Sequence, residues 1–227
     1  MTSLRIFTLL LALWMSAPLW AADAPSANAT PAARGRIVVL GDSITAGYGL
    51  DPTQAYPALL QQKIDAAGLP FVVANAGVSG DTTSGGLRRI EWALGRGADV
   101  LIVALGGNDG LRGISPQQTA ENLAGIIQRA RAKSPGAAVL VAGMQMPGNM
   151  GADFVAQFRA VFPRVSTEQK ATLVPFLLEG IGGLAEFNQA DLIHPNVEGQ
   201  KRVAENVWLV LRPVLEAHRI SSAPVAP

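Results

Sequence analysis

The chain has 227 residues, 49% of them hydrophobic and 15% charged, with a net charge of +1. That balance supports one well-packed domain and leaves no basic stripe for nucleic acid. Cysteine is absent and there are only two histidines, which excludes thiol chemistry and disulfides and makes a multi-histidine metal site hard to build.

Residues 1–24 read as a cleaved secretory signal. Arg5 gives a positive start, Ile6 to Trp14 is almost wholly apolar, and Ala21-Ala22-Asp23-Ala24 offers small residues for cleavage. Ser16 and Pro18 break the run before it reaches the roughly 20 apolar residues that span a membrane. Residues 25–35, rich in Ala, Pro, Ser and Asn, read as a flexible leader. The folded domain is expected over 36–219, with a disordered tail at 220–227. Export to a bacterial periplasm or medium, with no stable membrane anchor after cleavage, is the corresponding expectation.

Arg36 to Leu40 is a short apolar, β-branched run that ends at Gly41-Asp42-Ser43, so a buried strand delivers a serine just past its carboxyl end. The glycines of Gly47-Tyr48-Gly49 and Pro52 mark a loop. A helix is expected from about Tyr56 to Ala67, with Leu59, Leu60 and Ile64 on one face and Gly68 as its stop. Phe71 to Asn75 is a second strand, followed by Ala76-Gly77-Val78-Ser79-Gly80-Asp81 and a helix facing the core with Leu87, Ile90 and Leu94. Asp99 to Leu105 is the third and most apolar strand, ending in Gly106-Gly107-Asn108-Asp109-Gly110.

Ser115-Pro116-Gln117-Gln118 combines an N-cap, a proline at the first helical position and a capping-box glutamine. Its helix runs to about Lys133, with Ala120, Leu123, Ile127 and Ala130 at helical spacing. A fourth strand, Ala138 to Ala142, leads into a loop through Met150. A helix from about Asp153 to Phe162 and a weak fifth strand near Thr172 to Pro175 follow. Phe176 to Gln189 has no assignable pattern. Asp191-Leu192-Ile193-His194-Pro195 precedes a helix bearing Val203, Val207, Leu211 and Val214, broken or kinked at Pro213. Strands alternating with helices imply parallel pairing, right-handed crossovers and a three-layer α/β/α sandwich around a mostly parallel five-stranded sheet.

Three glycine-bearing segments, holding Ser43, Gly80 and Asn108, follow three successive strands, so a parallel sheet gathers them at one edge. The amides of Ser43 and Gly80 and the side-chain NH2 of Asn108 could serve as donors for an oxyanion. His194 is the base candidate. Asp191, three residues earlier, would reach the imidazole through one tight turn, and Pro195 would open the next helix. Taken singly, each segment reads better as an ordinary turn, and an isolated D-x-x-H as a structural capping histidine; the three segments together with a base reverse that preference. His218 is a poorer base, expected in solvent near the C-terminal tail, and Asp109 is a rival acid with no local route to a histidine.

These blocks resemble those of the GDSL, or SGNH, hydrolases: Gly41-Asp42-Ser43-Ile44, Gly80 in its glycine loop, Gly107-Asn108-Asp109, and Asp191-Leu192-Ile193-His194-Pro195, in family order. Within that family, Leu105 to Gly113 and Met144-Gln145-Met146 look most like the bacterial periplasmic thioesterase I/lysophospholipase L1/arylesterase group. The resemblance implies a flavodoxin-like fold, Ser43 as nucleophile, Gly80 and Asn108 as oxyanion donors, and Asp191 with His194 completing a triad that needs no cofactor. Leu192 stands where close relatives often have glycine. The segment after Met146 corresponds to a switch loop over the acyl site.

The expected activity is hydrolysis of carboxylic esters and thioesters by a monomer acting on small molecules. Asp42, Leu111, Met144, Met146 and Met150 are the expected substrate contacts, although methionines of this kind are more often simple packing residues. A carbohydrate acetylesterase on the same scaffold is the alternative, weakened by an aromatic content of only 6%. A non-catalytic nucleotide-binding α/β protein is a further class. The dinucleotide fingerprint fails because Pro52 stands where its last glycine is needed, and G-x-S-x-G is absent.

Overall fold

The computed structural model describes residues 34–221, with backbone alone for the last three. The signal, the leader as far as Ala33 and the tail beyond Ser221 lie outside the described residues. Strand β1 (Gly35–Gly41) is flanked by β2 (Phe71–Gly77) and β3 (Val100–Ala104); β4 (Ala138–Ala142) and β5 (Thr172–Val174) extend the sheet beyond β3. The order is β2-β1-β3-β4-β5 and every pairing is parallel. Ile37 to Leu40 and Val100 to Ala104 are fully buried, as unbroken apolar runs in a two-faced parallel sheet require.

Helices α2 (Tyr56–Ala66) and α7 (Val197–Ser221) pack together on one face. Helices α3 (Thr83–Leu94), α5 (Pro116–Lys133) and α6 (Ala152–Glu168) form the layer on the other face. Two shorter helices, α1 (Ser43–Ala46) and α4 (Gly107–Leu111), begin within two or three residues of the ends of β1 and β3. The sequence pattern gave no sign of either, because four or five residues cannot display a helical period.

The structure differs from four local expectations. The Ser115 hydroxyl accepts from the Gln118 amide at 3.2 Å, but the Gln118 side chain donates to Asn122 and leaves the capping box half made. Helix α6 continues past Phe162 through Pro163, since Phe158, Val161, Phe162 and Val165 keep one buried stripe. Pro213 likewise does not end α7, whose stripe of Val203, Val207, Leu211 and Leu215 is fully buried. His218, expected in solvent, is half-buried with its ring 6.1 Å from that of Phe71.

Register sets up the site. Gly41 pairs with Gly77 and with Ala104, so β2, β1 and β3 end level. Gly77 must be glycine for close approach: a Cβ there would stand 2.3 Å from the Ala46 backbone nitrogen, where α1 leans on the end of β2.

Candidate active site

Ser43 is the first residue of α1, and the Asp42 side chain caps that helix by accepting from the Ile44 amide at 3.0 Å. The serine is 8% exposed, and its hydroxyl oxygen lies 2.9 Å from Nε2 of His194, which is 151 residues away in sequence. On the other side of the ring, Nδ1 lies 2.6 Å from Oδ2 of Asp191. With the ring proton on Nδ1 donated to that carboxylate, the Nε2 lone pair accepts the serine hydroxyl proton.

The other carboxylate oxygen of Asp191 accepts from the amides of Ile193 and His194 at 2.9 and 3.0 Å, closing a tight turn under the histidine. The His194 ring is the largest cause holding the Asp191 carboxyl down at about 2, and these two amides add to it. Leu192 adopts φ = 60° within the turn, the left-handed region that favours glycine. Pro195 does not open α7. It pairs across an isolated bridge with Asn188, and Asn196 caps the helix instead, its Oδ1 accepting from the Gly199 amide at 3.0 Å.

Gly80, at φ = 77°, follows β2, and Asn108 sits in the first turn of α4 after β3. Asn108 donates one side-chain N–H to the Asp81 carbonyl at 2.9 Å, which orients the amide and leaves its second N–H for another acceptor. Asp109, the rival acid, is fully buried and faces away from the histidine: its carboxylate accepts from the Thr83 amide at 2.8 Å and from the Thr83 hydroxyl.

Two groups at this site carried no sequence signal. The Tyr48 ring lies over His194 with centroids 4.6 Å apart. Gln189 donates to the Tyr48 carbonyl at 2.7 Å while its own amide donates to the His194 carbonyl at 2.8 Å, bridging the two loops. A cleft of about 350 Å³ opens beside Ser43, walled by Ile44, Leu111, Met144, Met146, Phe176, Leu178, Leu192 and Ile193. Met150 lies outside this wall, on a short turn at Gly148–Met150. Asp42, 2% exposed, is also absent from the wall, and its carboxylate is spent on the helix cap. Met144 is 3% exposed and belongs chiefly to the core. A larger hollow of about 590 Å³ between α5 and α6 contains none of these residues and is lined in part by Glu121, Arg164 and Glu168. Among the described residues, no three His, Asp or Glu side chains gather to hold a metal.

The family profile described as "GDSL-like Lipase/Acylhydrolase family" matches residues 39–202, which take in every group of this site. The chain belongs to that family. The GDSL-like acylhydrolase fold and sequence recur in proteins of similar length. The chain is 46% identical to "Esterase TesA" of Pseudomonas aeruginosa over 185 residues, 81% of this chain and 91% of that protein. It is 36% identical to "Thioesterase 1/protease 1/lysophospholipase L1" of Escherichia coli K12, covering 81% and 86% of the two. The solved structure of the SGNH-hydrolase family esterase AlinE4 superposes with a TM-score of 0.66 at 38% identity, covering 81% of this chain and 96% of that one. As a GDSL-like acylhydrolase with esterase and thioesterase relatives, the protein is an ester-hydrolysing enzyme.

Proposed function

We propose that this hydrolase cleaves carboxylic esters and thioesters through an acyl-enzyme on Ser43. The observation that carries the reading is the unbroken line Ser43 Oγ–His194 Nε2 at 2.9 Å and His194 Nδ1–Asp191 Oδ2 at 2.6 Å. His194 accepts the Ser43 proton as Oγ attacks the acyl carbon. The carbonyl oxygen, now anionic, is met by the amides of Ser43 and Gly80 and the free N–H of Asn108. Collapse expels the alcohol or thiol, which takes the proton from Nε2. Water then repeats the sequence in reverse: His194 takes its proton, the hydroxide attacks the acyl-enzyme, and Ser43 is released with its proton restored.

The apolar wall of the cleft supports an acyl chain, with Leu111, Met146, Leu192 and Ile193 as its contacts. The same wall gives no support to a carbohydrate acetylesterase. The secretory pattern of residues 1–24 supports a periplasmic or exported enzyme. No helix among the described residues is long and apolar enough to cross a membrane. The test is Ser43→Ala assayed on a panel of p-nitrophenyl esters and acyl thioesters. Activity should vanish with the thermal unfolding curve preserved, and a fully active variant would overturn the reading.

A further inference from the structure

Helix α3 carries a guanidinium that is used by no step above. Arg89 is 17% exposed at its side chain, and all three of its nitrogens are engaged. Nε donates to Asp81 Oδ2 at 2.7 Å, Nη1 to the Ala76 carbonyl at 2.8 Å, and Nη2 to the Gly41 carbonyl at 2.9 Å. These acceptors lie on three different segments: the end of β1, the end of β2, and the loop after β2. Gly41 is two residues before Ser43, and Asp81 is the residue after Gly80. The guanidinium therefore spans the gap between the two backbone amides assigned above to the oxyanion.

The loop is gripped from its other side as well. Asn108 of α4 donates to the Asp81 carbonyl and Arg112, just past that helix, to the Gly80 carbonyl, each at 2.9 Å. Those bonds attach the loop to the β3 side. Among the described residues, Arg89 is the one side chain that hydrogen-bonds both this loop and the strand that delivers the nucleophile. The remaining link there is the Val78 amide donating to the Gly41 carbonyl at 3.0 Å.

We infer that Arg89 is a positioning residue for the oxyanion hole, setting the spacing of the Ser43 and Gly80 amides. The inference rests on the acyl-enzyme reading. A planar fork with N–H groups in fixed directions can hold three acceptors at set distances, whereas a lysine ammonium on a flexible stem cannot. Because Arg89 is paired with Asp81, whose side chain is 11% exposed, the pair brings little net charge to the site. Its contribution is geometric, and it is felt where donors must meet an oxygen that is anionic only in the tetrahedral state.

The experiment compares Arg89→Lys and Arg89→Ala with the wild type. Active sites are counted by a fluorophosphonate, and kcat and KM are read separately on one p-nitrophenyl ester. Binding of a trifluoromethyl ketone, which forms a tetrahedral oxyanion on serine, is set against binding of an unreactive ether with the same acyl chain. Removing one oxyanion donor outright costs about 10²–10³-fold in kcat, so misplacing one should cost about 10–100-fold per counted site. Ketone affinity should fall in parallel, while KM and ether affinity stay within about threefold. Unchanged kcat per counted site, or equal losses for ketone and ether, would overturn the inference.

If both variants unfold, Asp81→Ala removes the Nε contact of Arg89, along with the local bond from the Thr82 amide, and keeps the other two guanidinium contacts. It should lower kcat and ketone affinity about 3–10-fold, and wild-type values would overturn the inference. A wild type that is inactive and unlabelled at Ser43 would instead remove the acyl-enzyme reading, and this inference with it.

Discussion

The side chain of Gln200, on the C-terminal helix, donates to the carbonyl of Ile44, the residue after Ser43, at 3.1 Å. Its other end accepts from the Tyr56 amide at 2.8 Å, and the residue is 1% exposed. Since α7 begins three residues after His194, this amide braces the base-bearing loop against the helix that carries the hydroxyl.

Gln200→Ala should therefore leave the Tyr56 amide without its partner and the Ile44 carbonyl with only the Gly47 amide at 3.3 Å. One orphaned buried group costs about 1–3 kcal/mol, and a loss of that size is expected in urea unfolding. The activity of the remaining folded enzyme should also fall, because the Ser43–His194 separation loses its brace. A stability within about 0.5 kcal/mol of wild type would show that the contact is not used.

Leu192→Gly should act on stability and substrate choice in opposite directions. A left-handed non-glycine residue costs about 1–2 kcal/mol, and glycine returns part of that gain as chain entropy, leaving a net increase of about 0.5–1 kcal/mol. The lost side chain, 47% exposed, is part of the cleft wall. KM for long-chain esters should therefore rise while KM for acetate esters does not. Calorimetry and an acyl-length series would check both.

Asp191→Asn should lower kcat about 10²–10⁴-fold with KM nearly unchanged, because the amide no longer enforces the tautomer that leaves Nε2 free. The carboxyl is held at about 2, below its ordinary 3.8, so it is ionised across the neutral range. Its stabilising contribution is present above about pH 4 and is lost as pH falls towards 2. The acid unfolding curves of wild type and variant should therefore converge near pH 2, which circular dichroism would follow.

Asp42 has the opposite sign. Burial is the largest cause pushing its carboxyl up to about 6, opposed by the Ile44 amide and the nearby His194. Stability from this group is then full below about pH 4 and is lost as pH rises through about 6. The shift from 3.8 to about 6 corresponds to on the order of 3 kcal/mol at alkaline pH. Asp42→Asn keeps the Oδ1 cap and removes the charge. It should gain more stability over wild type at pH 8 than at pH 4 in urea unfolding, and an equal difference at the two pH values would refute the burial argument.

What neighbouring residues decide was legible in the sequence. Short apolar runs gave all five strands to within a residue or two, four of them closing on glycine and the fifth on Pro175, and Ser115 with Pro116 marked the start of α5. Ser43, Gly80, Asn108 and the Asp191–His194 pair were legible because each stands just past an element end or within one turn of its partner. Steric and hydrogen-bonding preferences act over a few residues, so they are written locally.

The 2.9 Å separation between Ser43 and His194, the ring of Tyr48 over the base, and the Arg89 and Gln200 contacts came from the assembled fold alone. It also turned the patternless stretch from Phe176 to Gln189 into part of the cleft wall, through Phe176 and Leu178. Each of these depends on two chain segments far apart in sequence, brought together by strand order and helix packing. A partner chosen across the fold leaves no period or spacing in the sequence around either residue, so those contacts exist only once the sheet has assembled.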